Sequence, residues 1–199
     1  MTNRAPVAGV LFDSADVLMR PTLGIETTAK EAWRRWFPGP RFEEIVREVY
    51  PDLRFDGLDT AVDAGMRYLD ERHRTPMATV AEERTLFATF YRIVLEALGV
   101  TEPPPSLTVE LARARVDGDQ MEPFPDTVGV LTRLRNRGYR LGILSEGWPS
   151  LAEHYRRHSL LEFFDAFVVS AQEARLKNDP RLFAIAAERM ALPSAAIVF

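Results

Sequence analysis

Four short apolar runs constrain this chain more than anything else in it: 7–12 (VAGVLF), 139–144 (YRLGIL), 166–169 (AFVV) and 195–199 (AAIVF). A strand with one wet face alternates apolar and polar residues, whereas a strand covered on both faces reads as a nearly continuous run. The four runs therefore predict a buried parallel sheet. The spacers between the last three agree. Residues 126–137 carry Val130, Leu131 and Leu134 at helical spacing and are closed by Gly138, residues 150–158 form a second helix, and residues 180–190 carry Leu182, Phe183, Ile185 and Ala186. Strands alternating with helices of this length make βαβ units.

The interval between the first and second runs obeys a different rule. From Leu23 to Val116 the apolar residues recur at helical spacing: Phe42, Ile45, Val46, Val49 and Tyr50; then Leu58, Val62, Met66 and Leu69; then Phe87, Phe90, Tyr91, Val94, Leu95 and Leu98, ended by Gly99. Breaks fall at 37–40, 51–57, 75–79 and 101–106, with Pro103, Pro104 and Pro105 as a firm stop. The fold class that follows is α/β, a doubly wound parallel sheet with an inserted all-α domain. The core is discontinuous, from 1–20 and 121–199, and the helical domain takes 21–120.

Composition removes several functions. The chain has no cysteine, so disulfides, thiolate-bound zinc and thiol nucleophiles are excluded. Of its three histidines, His154 and His158 could share a helix face and read as a solvated surface, not as a metal site. A net charge of −4 without a basic stripe gives no grounds for nucleic-acid binding. The first apolar run is too short to span a bilayer and lacks the flanks of a signal peptide, so the expectation is a cytoplasmic protein without a membrane partner.

In open parallel sheets, ligands bind beyond the carboxyl ends of the strands. The residues at those ends are Asp13, Ser145 and Ser170, with Lys177 in the loop that follows. Lys177 is one of only two lysines, beside Lys30, among 25 basic residues. An aspartate at a strand end can attack phosphorus or an alkyl carbon to form an ester. A serine hydroxyl and a helix N-terminus just after it can hold phosphate oxygens, and a lysine can balance the charge that passes between them. Each residue also has a plainer reading: Asp13 as a turn former, Ser145 as an N-cap and Lys177 as a surface lysine.

The segment LFDSADVL (11–18) resembles the first motif of the haloacid dehalogenase family, an apolar strand ending in a nucleophilic aspartate. PFPDTVGVLTRLRNRGYRLGILSEG (123–147) resembles the approach to the second motif, SAQEARLKNDPRLFAIA (170–186) the third, with its lysine, and AAIVF (195–199) the strand leading into the fourth. The order of the motifs and the position of the helical insertion, which matches that family's cap, extend the likeness over the whole chain. The resemblance implies a hydrolase of small phosphorylated metabolites working through an aspartyl intermediate. Asp13 would be the nucleophile, Ser145 the phosphate-binding hydroxyl and Lys177 the charge-balancing cation. It also implies Mg²⁺, held by the Asp13 carboxylate and the backbone carbonyl of Ala15.

Four departures bear on that expectation. Ala15 stands where phosphatases of the family carry a second aspartate as general acid and base, and Asp16 is one position off, which on an extended chain turns its side chain the other way. Glu146 replaces an asparagine and would repel phosphate unless turned outward. Asn178 replaces a proline, and the acids of the fourth motif would begin beyond Phe199, so Mg²⁺ binding is expected to be weak and the natural chain is expected to run on. These departures keep two alternatives open, a catalytically silent binding protein and a metal-independent 2-haloacid dehalogenase with Arg20 or an arginine of the cap at the halide. Neither the substrate nor the oligomeric state is legible.

Overall fold

Short apolar segments become strands here, and the amphipathic spacers become helices. The computed structural model describes residues 6–22, 36–39, 41–72 and 75–199. In chain order the elements are β1 (Gly9–Phe12), β2 (Met19–Pro21), α1 (Phe42–Val49), α2 (Leu58–Arg72), α3 (Val80–Ala97), α4 (Pro105–Asp117), β3 (Met121–Pro123) and α5 (Thr127–Asn136). They continue with β4 (Arg140–Ser145), α6 (Leu151–Arg157), β5 (Ala166–Val169), the single turn α7 (Ser170–Glu173), α8 (Pro180–Arg189) and β6 (Ile197–Val198). The part of the helical reading that covers residues 23–35 lies outside the described residues.

The four apolar runs form one parallel sheet in the order β5-β4-β1-β6, as their continuous apolar character predicts. One face packs on α8: Leu11, Leu144, Ala166 and Val168 meet Leu182, Ala186 and Met190. On the other face Phe167 of β5 meets the ring of Tyr155 from α6 at 5.1 Å between centroids. Two glycines make the first face close. A Cβ on Gly142 would stand 2.8 Å from Met190 Sδ and 2.9 Å from Leu11 Cδ1, and one on Gly9 would stand 2.8 Å from Met190 Cε. Met190 fills the room that both leave.

The chain leaves β1, adds β4 and β5 outward on one side, then crosses back to place β6 on the other side of β1. The strand order thus reverses at β1, and the crevice at its carboxyl end is the topological switch point of the sheet. Asp13 is the first residue past that end.

Sequence and structure differ in detail. The first and last strands are shorter than their apolar runs. Residues 194–196 form a 3₁₀ turn, closed by the Ala196 N–H on the Pro193 carbonyl at 2.9 Å, and only Ile197 and Val198 reach the sheet. The short pair β2 and β3 gives no periodic signal, being three residues each. Pro105 does not end a helix; it begins α4 as N1, where a missing N–H costs nothing.

Two compact units can be distinguished. The first comprises the described residues of 1–20, 73–78 and 121–199, and the second those of 21–72 and 79–120. The strap 75–78 goes with the first unit because the Met77 N–H donates to the Ala171 carbonyl at 2.8 Å and the Met77 side chain is buried. The second unit centres on α3, whose Leu86, Phe87, Phe90, Tyr91, Val94 and Leu95 are all buried. Its start is a capping box, with the Thr79 hydroxyl receiving the Glu82 N–H and the Glu82 carboxylate receiving the Thr79 N–H.

Candidate active site

Every residue of the candidate site lies in the first unit. Asp13 ends the buried β1, so its carboxylate leaves the sheet at the switch point with its side chain 34% exposed. One oxygen, Oδ2, receives the Lys177 ammonium at 2.5 Å. The other, Oδ1, receives the backbone N–H of Ser14 at 2.7 Å. Both oxygens are thus held, and the carboxylate plane is fixed before any substrate arrives. Lys177 comes from the loop between α7 and α8, and its Nζ also lies 5.5 Å from the centroid of the Phe199 ring.

Ser145 is the last residue of β4 and is 3% exposed. The register pairs Phe12 with Ile143, which sets Asp13 level with Leu144 and Ser145 one residue further along the adjacent strand. Helix α6 starts at Leu151, within a residue of the expected helix 150–158, and its N-cap Ser150 lies five residues past Ser145. The N-cap reading of Ser145 therefore falls, and so does the idea of a helix N-terminus directly behind it. A loop, 146–150, fills the interval. Ser170 ties that loop to β5, with its hydroxyl accepting the Gly147 N–H at 3.0 Å and the Ala171 N–H reaching the Gly147 carbonyl at 3.3 Å.

After Asp13 the chain makes a tight turn. The Ser14 carbonyl accepts the N–H groups of Leu18 and Met19, each at 3.0 Å, and the Asp16 N–H donates to the Met19 carbonyl at 2.8 Å. Asp16 sits at φ 57°, in the left-handed region, so the extended-chain alternation used to orient it does not apply. Ala15 is exposed at the front of this turn. The turn is braced from outside the motif. The Tyr155 hydroxyl donates to Ser14 Oγ at 2.9 Å, and the Thr127 hydroxyl donates to the Leu18 carbonyl at 2.9 Å. Burial pushes the Tyr155 phenol well above its usual value, so it stays a proton donor. Sequence reading missed both braces, because a tyrosine 141 residues away carries no local signal.

Glu146, which would repel phosphate if it faced it, places its Oε1 on the backbone N–H of Lys177 at 2.7 Å. Arg20 forms an ion pair with Glu122 at 2.7 Å and lies over the Phe124 ring. The two helix-face histidines are not a solvated surface. His154 is buried, and His158 Nε2 lies 2.7 Å from the Met121 carbonyl oxygen.

The metal expected by resemblance would take Asp13 and the Ala15 carbonyl as ligands. Among the described residues no group of three or more His, Cys, Asp or Glu side chains gathers around a point. Both Asp13 oxygens already have partners, and Mg²⁺ demands six near-octahedral oxygens. Asp13 and the Ala15 carbonyl would supply two of those oxygens and leave the rest to water and substrate phosphate, a loose hold on the ion by this chain's own residues.

Comparison with known proteins points one way. A family described as haloacid dehalogenase-like hydrolase matches residues 7–199. A glyceraldehyde 3-phosphate phosphatase of Methanothermobacter thermautotrophicus is 26% identical over 140 residues, 67% of this chain and 60% of that protein. Its namesake from Methanopyrus kandleri is 26% identical over 155 residues, 74% of this chain and 62% of that protein. The chain thus spans about three fifths of the length of these curated relatives. A solved 2-haloacid dehalogenase from Pseudomonas syringae superposes with a TM-score of 0.62 at 20% identity, covering 96% of this chain and 76% of that one, a likeness of fold. Among the described residues no helix is long and apolar enough to cross a membrane.

Proposed function

Since the chain belongs to the haloacid dehalogenase-like hydrolases, we propose that it is a phosphatase of small phosphorylated metabolites in which Asp13 is the nucleophile. The observation that carries this reading is the Asp13–Lys177 pair at 2.5 Å, held at the switch point of the sheet. The names of the two curated relatives support a phosphorylated small molecule as substrate.

The chemistry has two steps. In the first, an Asp13 carboxylate oxygen bonds to phosphorus as the bond to the leaving oxygen breaks, giving an acyl phosphate on the enzyme. Lys177 and the Ser14 N–H keep the carboxylate aimed, and the Ser145 hydroxyl is placed to bind a phosphoryl oxygen. In the second, water attacks phosphorus, the Asp13–phosphorus bond breaks and inorganic phosphate leaves with the carboxylate regenerated. Ala15 offers no proton for the leaving oxygen and no base for the water. The first step then favours leaving groups that depart as anions, and the second is slow. Acyl and aryl phosphates should therefore be turned over ahead of sugar phosphates.

Rapid-quench labelling and intact-mass measurement test this. A phosphate adduct on Asp13 that accumulates during turnover of an aryl phosphate is expected, and Asp13→Asn should remove both adduct and activity. Full activity in Asp13→Asn would overturn the assignment. Chloride release from 2-haloacids, with no phosphatase activity, would move the reading to a dehalogenase.

A further inference from the structure

We propose that Glu146 is a positioning residue that sets the Lys177 ammonium on Asp13; the inference rests on the reading of Asp13 and Lys177 as the working pair. Lys177 sits in the five residues between the αL residue Ala174, which caps α7, and Pro180, which begins α8. The loop is tied to α7 by the Arg175 N–H on the Ser170 carbonyl at 3.2 Å, and Lys177 lies inside the turn that the Asp179 N–H closes on the Leu176 carbonyl at 2.9 Å, a turn that leaves the Lys177 N–H itself unused. The Lys177 N–H instead crosses to Glu146 Oε1, 31 residues away in sequence, at 2.7 Å.

That contact joins the loop to the end of β4, the strand paired with β1. Asp13 and Glu146 thus issue from neighbouring strand ends, and Lys177 is gripped by both, by its ammonium on one and by its backbone on the other. A lysine has four rotatable side-chain bonds and loses much entropy when its head is fixed. Fixing its main chain leaves only the side chain to order. A carboxylate accepting an N–H makes a stronger bond than a neutral acceptor.

The test needs no turnover. The protein has two lysines, Lys30 and Lys177, so acetylation by limiting acetic anhydride can be read by mass spectrometry as the ratio of the two in one molecule. In the wild type Lys177 is held on Asp13. Asp13→Asn should raise the Lys177 ratio, and Glu146→Ala should raise it to a similar extent, about tenfold, the factor that one charge-assisted hydrogen bond is worth. Glu146→Gln keeps a weaker, neutral acceptor and should fall between the two, about threefold above the wild type. Circular dichroism checks folding, and Glu146→Ser, whose side chain is too short to reach, replaces the alanine variant if that one does not fold. Unchanged labelling in a folded Glu146→Ala protein overturns the proposal, as does a Glu146→Gln protein that labels like Glu146→Ala. In a kinetic arm, adding Glu146→Ala to Lys177→Ala should slow an aryl phosphate no further than Lys177→Ala alone, because Glu146 acts through Lys177; additive losses overturn the proposal. If Asp13→Asn keeps full phosphatase activity while the labelling pattern holds, the nucleophile assignment fails and the strut stands.

Discussion

The Ala15 side chain carries no titratable proton, and it stands exposed on the turn that follows Asp13. General acid and base assistance is typically worth about 10²–10⁴-fold. Ala15→Asp should therefore raise turnover of sugar phosphates by about 10²-fold or more, with a much smaller gain on aryl phosphates. Steady-state kinetics on a series of leaving groups measures this, and an unchanged ranking would refute it. Tyr155 acts on the same turn from beneath. Tyr155→Phe leaves the buried Ser14 hydroxyl without its donor, which should cost about 1–3 kcal/mol in denaturant unfolding. It should also lower kcat more than it raises KM, because the turn sets the nucleophile and not the binding surface.

Helix α8 is N-capped by Asp179, whose carboxylate receives the Arg181 N–H at 3.0 Å and the Arg181 guanidinium. Those bonds hold the Asp179 carboxyl below its usual value of 3.8. A lowered folded value means that the unfolded chain takes up the proton first. The contribution is then complete well above pH 3.8 and is lost as pH falls through the lowered folded value. Asp179→Ala should be destabilised relative to wild type at neutral pH, and urea titrations at descending pH should show the gap closing. In the second unit, α2 presents Gly65 to α3, and a Cβ there would stand 2.5 Å from Phe90 Cε2. Phe90 is fully buried, so Gly65→Ala should cost about 1–3 kcal/mol by overpacking, more than the helix-propensity gain of about 1 kcal/mol returns. Thermal unfolding of the variant measures the balance.

A metal site is made when a whole fold brings distant donors to one point, and the described residues of this fold bring no such set. With only the Asp13 carboxylate and the Ala15 carbonyl assigned to the ion, the 199-residue chain should bind Mg²⁺ weakly in calorimetry. Tight stoichiometric binding would mean that ligands other than Asp13 and Ala15 take part. The two units each carry a core of their own, the first between sheet and helices and the second around α3.

Much of the sheet was written in the order of the residues. A buried parallel strand must be apolar on both faces, and that requirement leaves a run visible without any structure, as in YRLGIL and AFVV. The positions of Asp13 and Ser145 at strand ends follow from those runs alone, whereas Lys177 lies in a loop and is singled out by its motif. Contacts between distant residues leave no such trace. Tyr155 on Ser14 and Glu146 on the Lys177 backbone depend on chain segments meeting after folding. Asp16 turned on a single backbone angle that its residue type only weakly constrains. His154 turned from a surface residue into a buried one because which side of a seven-residue helix faces the sheet is set by packing, not by the spacing of two histidines.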